Sequence, residues 1–88
     1  MTIQEVTSSI EELIFSENTS DCLVACEILK GLDFPCMVKV NLIQPIVSSF
    51  KTLIEGCLKV GALDRADNLI EKGQALNETI IFLIKEDS

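Results

Sequence analysis

In every stretch where a pattern can be read, the apolar residues of this chain recur at three- and four-residue spacing, and that restricts it to packed helices. Ile3, Val6, Ile10, Leu13 and Ile14 fall on one face of a helix, with Glu11 and Glu12 pointing away. Thr2 and Glu5 stand in the capping-box relation just ahead of this run. The hydroxyl accepts the amide three residues on, and the carboxylate reaches back. The first helix is therefore expected to end near Phe15. The segment Ser16-Glu17-Asn18-Thr19-Ser20-Asp21 has turn and cap chemistry, since short polar side chains satisfy free backbone amides.

A second helix is expected over Asp21–Lys30. Cys22, Leu23, Val24, Ala25, Cys26, Ile28 and Leu29 leave it almost no polar face, so it should be central or covered by a partner. Gly31 is expected to stop it by taking a positive φ. Pro35 then disfavours helix at Phe34. Between Cys36 and Gln44 two readings compete. Val38, Val40 and Leu42 alternate like a short strand, yet no second strand exists to pair with it. A helix with a kink or a fresh start near Pro45 fits better. A third helix runs to Val60 with Ile46, Phe50, Leu53, Ile54 and Cys57 on one face, and Gly61 closes it. The fourth spans about Asp64 to Lys85, striped by Ala66, Leu69, Ile70, Gly73, Leu76, Ile80 and Leu83 or Ile84. Gly73 implies either a close helix–helix approach or a bend. The expected fold class is all-α, a small bundle of four or five helices over 1–88 as a single domain. Its C-terminal pair should form an antiparallel hairpin, because the connection is short.

The segment Phe50 to Gly73 resembles a helix-turn-helix unit of the tetratricopeptide type. Phe50, Leu53, Ile54 and Cys57 match its first-helix contacts, Gly61 its turn, and Ala66 its small second-helix residue. Ile70 matches the apolar position after that. The sequence departs from the pattern at Ile54, where a small residue is usual, and at Gly73, where alanine is usual. It also lacks a closing proline and a second copy at the repeat's period. The resemblance implies a helical hairpin over about a quarter of the chain.

Composition limits what such a bundle does. The chain contains no histidine, tyrosine or tryptophan, so the commonest general base and metal ligand are missing, and a thiol nucleophile would lack its imidazole. Gly31, Gly56, Gly61 and Gly73 are dispersed singly and make no phosphate loop. Asp64 and Asp67, like Glu11 and Glu12, suit helix first turns or outer faces. The expectation is no enzyme and no cofactor. Net charge is −7, which disfavours nucleic acid and anionic membrane surfaces. No apolar run is long enough to span a bilayer, and the N-terminus lacks a basic region ahead of an apolar core, so a cytoplasmic location is expected. Cys22, Cys26, Cys36 and Cys57 are expected to be reduced core residues. Cys22 and Cys26 lie one turn apart and so within reach of a shared metal, but the spacing lacks the paired knuckles of zinc modules.

What remains is association. Hydrophobic residues make up 48% of 88 residues, more than a core this small readily hides. The run Ile80-Ile81-Phe82-Leu83-Ile84 spans more than one helix face. The sequence points to a small acidic protein–protein interaction module or chaperone-like adaptor, similar in size and character to co-chaperones of secretion systems. Its partner would be another protein chain, met through Ile10, Leu13, Ile81, Phe82 and Ile84. The alternative is a structural homo-oligomeric bundle whose apolar surface meets its own copy.

Overall fold

The computed structural model describes residues 2–87, and within them the chain is four α-helices with no strand: α1 (Ile3–Ile14), α2 (Thr19–Gly31), α3 (Cys36–Lys59) and α4 (Leu63–Glu86). Two are short and two are long. At 1.5 Å per residue α1 and α2 measure about 18–20 Å, and α3 and α4 about 36 Å. The long pair packs as the expected antiparallel hairpin and gives the molecule its 41 Å long axis.

The helix ends arise from local chemistry. The Thr2 hydroxyl accepts the Glu5 amide at 3.2 Å and opens α1, which is the hydroxyl half of the expected capping box. In the next turn the Ser16 hydroxyl accepts the Asn18 amide at 3.2 Å and donates to Asp21 at 2.6 Å, holding the loop to the start of α2. Gly31 departs from expectation. It remains helical without a positive φ, and α2 stops because Leu32 turns extended ahead of Pro35. Gly61 does take the left-handed conformation, φ 76°. There the Gly61 amide bonds to the Leu58 carbonyl at 3.2 Å and the Ala62 amide to Cys57 at 2.8 Å. These two bonds are the Schellman pair that satisfies the last carbonyls of a helix.

The ambiguous stretch Met37–Leu42 is helical and continuous with the rest of α3. Pro45 neither breaks α3 nor restarts it. Its ring lies on the exposed side, where water meets the carbonyl that its missing N–H leaves free.

The core lies between the short pair and one end of the hairpin. Val6, Ile10 and Ile14 of α1 and Cys22, Ala25, Cys26 and Leu29 of α2 meet Val40, Ile43, Ile46 and Phe50 of α3 and Leu76, Ile80 and Leu83 of α4. Two buried lysines tie the layers together. Lys39 of α3 donates to the Lys30 carbonyl in the last turn of α2 at 3.3 Å. Lys72 of α4 donates to the Ser16 carbonyl just beyond α1. Each long helix thus places an ammonium at the carbonyl end of one short helix, where the helix dipole is negative. Gly73 lies where α4 meets Phe50 of α3: a Cβ there would stand 3.5 Å from Cδ2 of Phe50.

Candidate partner-binding surface

The contacts between layers fix where the short helices stop. Asn68 donates to the Thr19 hydroxyl at 2.9 Å, at the first residue of α2. Lys30, near the other end of α2, lies over the Phe82 ring at 5.0 Å. The Phe15 ring, at the end of α1, meets Phe50 edge-on with centroids 5.7 Å apart. The α1–α2 layer therefore spans α4 from about 68 to 82 and reaches Phe50 on α3. Beyond that level the hairpin continues without it.

The apolar stripe does not stop with the layer. On α3, buried Ile43, Ile46 and Phe50 are followed by Leu53, Ile54 and Cys57 at the same spacing; Leu53 is exposed, while Ile54 and Cys57 are half-buried. Leu53 is 44% exposed, Leu58 53%, Leu63 61% and Val60 80%. A groove of about 600 Å³ forms where the short layer ends. Phe15, Leu53, Cys57 and Leu69 supply its apolar part, and Asp64, Arg65 and Asn68 edge it from α4.

The residues expected from sequence at a partner surface separate into three groups. Ile10 is 2% exposed and belongs to the core, so it is unavailable to an outside chain. It stands midway between Val6 and Ile14 on the buried face, one turn from each. Leu13, on the flank of that face, is half-buried against the same core. Ile81, Phe82 and Ile84 are exposed, while Ile80 and Leu83 of the same run turn inward. Phe82 lies at the Lys30 end of α2, opposite the end where Leu13 and Phe15 sit, so the five residues form no single surface. The Phe82 ring already carries the Lys30 ammonium on one face. The pattern of the sequence does not mark Leu53, Leu58, Val60 and Leu63 as surface. The usable signal is the length of the expected helices, since two short ones cannot cover two long ones.

Among the described residues, the ionisation of two thiols on α2 is shifted. Cys22 and Cys26 lie one turn apart on α2, facing the α4 carbonyls of Lys72 and Ala75 at 4.0 and 3.8 Å. The adjacent Cys26 thiol and burial push the ionisation of Cys22 far up. Cys26, beside it, is drawn down to about 6 by the Cys22 thiol, helped by the Thr79 hydroxyl and the Lys30 ammonium and opposed by burial. Cβ atoms one helical turn apart stand about 5–6 Å from each other, against about 3.8 Å in a disulfide, so these two do not join without unwinding α2. Cys36 and Cys57 begin and nearly end α3, about 30 Å apart along its axis. The four thiols accordingly do not converge, and among the described residues no three metal-ligating side chains gather. Among the same residues no helix is long and apolar enough to cross a membrane.

Comparison of the chain with protein-family models, with curated proteins and with solved structures gave no match. The hairpin tip therefore stands on its geometry alone as the candidate surface.

Proposed function

We propose that this chain is a non-catalytic interaction module that receives a second protein chain on the bare end of its α3–α4 hairpin, residues 51–67. The observation that carries this reading is the continuing stripe. The face that packs the core at Ile46 and Phe50 runs on through exposed Leu53 and half-buried Cys57 with neither α1 nor α2 over it. At about 25 cal/mol per Å² of apolar surface, covering a few such side chains is worth several kcal/mol, a sizeable part of the stability of a domain this small. The groove also combines what a docking site needs, since apolar Phe15, Leu53, Cys57 and Leu69 share its lining with polar or charged side chains such as Glu17, Asp64, Arg65 and Asn68. The tetratricopeptide-like character of Phe50 to Gly73 accords with it, because units of that type bury their outer faces only against a neighbouring unit. A small acidic adaptor that holds a helical client on this face fits both the size and the charge of the chain.

Cys57 provides an internal reporter. It lines the groove, while Cys36 is half-buried near the opposite end of α3. Maleimide labelling of dilute protein is compared with labelling of concentrated protein and with labelling in an extract of the cells that make it. The expected result is that a partner, supplied by the extract or by a second copy at high concentration, slows modification of Cys57 several-fold and leaves Cys36 unchanged. Equal rates at Cys57 in all three samples would remove the docking reading and leave a self-contained bundle.

A further inference from the structure

We infer that the occupant of the hairpin tip is the tip of a second copy of this chain, packed face to face about a two-fold axis. This rests on the proposed docking function and names its partner. The argument comes from how charge is distributed. Residues 51–67 carry three bases, Lys51, Lys59 and Arg65, and three acids, Glu55, Asp64 and Asp67. The tip is neutral, so the rest of the chain carries the whole net charge of −7. That remainder holds only four bases, and two of them, Lys39 and Lys72, are buried against backbone carbonyls. Its carboxylates are mostly exposed, among them Glu5, Glu11, Glu12, Glu17, Glu27 and Asp33 on and beside the short helices.

Two copies that met through the acidic layer would bring carboxylates against carboxylates, and like-charge juxtaposition works against association. A strongly basic partner would be drawn to that same layer and gain nothing from a neutral tip. The tip suits a partner that is apolar and uncharged on balance, and a second tip is such a partner by construction. Closure about a two-fold axis is self-complementary and adds no further open surface. The geometry also fits. α3 runs about 14 Å past Phe50. Two tips overlapped antiparallel would make four helices in section, extending each copy's own stripe from Phe50 through Leu53 and Cys57. The acidic layers would then lie at opposite ends of the dimer.

Sedimentation velocity from about 5 to about 500 µM, spanning the affinities expected of a small interface, tests this alongside Cys57 labelling on the same samples. Wild type is expected to pass from monomer to dimer, with Cys57 protected in step and Cys36 unaffected. Added salt should favour the dimer, because it screens the repulsion between two chains of charge −7. Leu53→Glu and, separately, Leu63→Glu should stay monomeric with wild-type helicity by circular dichroism. Leu53 is 44% and Leu63 61% exposed, so neither change buries a charge in the core, and the circular dichroism checks that the fold survives. A wild type monomeric at every concentration would overturn the inference, as would a dimer that persists in both variants with Cys57 fully reactive. A monomer whose Cys57 is nevertheless shielded in cell extract would overturn the second-copy assignment alone and leave the docking reading standing.

Discussion

The two ends of the α3–α4 hairpin are built from the same pattern and reach different outcomes. At one end Ile43, Ile46 and Phe50 face Leu76, Ile80 and Leu83, and all six are buried. At the other end Leu53 and Cys57 continue the stripe of α3, and Leu69 and Ala66 continue that of α4. Of these only Ala66 is fully buried. Spacing does not distinguish the two ends. The difference lies in what covers them, since α1 and α2 are half the length of the helices they pack against. An amphipathic pattern fixes which way a side chain points, and the lengths of neighbouring elements decide whether anything meets it.

The largest effect that tests this contrast comes from truncating leucine at each end. Leu76 is fully enclosed, and Leu76→Ala should cost about 2–5 kcal/mol, combining lost burial with the cavity left behind. Leu53→Ala should cost under about 1 kcal/mol in monomeric protein, because nearly half of the side chain is already in water. Urea denaturation at low micromolar concentration, with the slope checked for constancy, measures both. Equal losses at the two positions would mean that the tip is packed in solution even when the chain is dilute.

Gly61 gives a smaller loss, at a position in the tip that is sensitive to change for a different reason. With φ at 76° and open space around its Cα, Gly61→Ala meets no clash, and its cost is conformational. Holding an L-residue in the left-handed region costs about 1–2 kcal/mol. The turn is not expendable, because its two Schellman bonds close α3 and set the antiparallel return. The urea midpoint should therefore fall for Gly61→Ala although the added methyl group touches nothing. An unchanged midpoint would mean that the turn has another conformation of equal energy.

These elements also show what the sequence can and cannot disclose. Gly61 is legible because it stands between two strongly periodic runs. The same rule fails at Gly31, because Pro35 a few residues on already forces the chain out of helix, so the glycine is not needed for the stop. α3 runs on through Pro45 without a fresh start, and the outward placement of the ring depends on which face of α3 the other helices bury. The run Ile80–Ile84 is, as its composition indicates, too apolar for one face. Its division, with Ile80 and Leu83 inside and Ile81, Phe82 and Ile84 outside, obeys the helical period. Ile10 belongs to the core and not to a partner surface, because a stripe shows its own centre only once a neighbour is placed against it. The buried Lys39 and Lys72 leave no trace in the sequence. A lysine at an inward position reads as a break in the pattern until the carbonyl it serves is known.

The smallest effect is a gain, and it tests the level at which the covered and bare ends join. Gly73 lies inside α4, where glycine costs up to about 1 kcal/mol relative to alanine through backbone entropy. The sequence suggests that such a cost is tolerated only for a close approach or a bend. The structure gives the approach, and its distance decides the sign of the substitution. A Cβ on Gly73 would stand 3.5 Å from Cδ2 of Phe50, an ordinary van der Waals contact with an aromatic edge, and nothing else lies within 4 Å. Phe50 is itself held by Phe15, so the added methyl group fills the space beneath a ring that is already fixed. Gly73→Ala should therefore raise stability by up to about 1 kcal/mol, seen as a higher urea midpoint with unchanged slope. Gly73→Val adds two further methyl groups on the same side and should lose that gain, since overpacking displaces the ring. If alanine destabilises the protein as valine does, Phe50 sits closer to α4 than 3.5 Å in solution, and the enclosed end of the hairpin is packed too tightly at its boundary to accept even one methyl group.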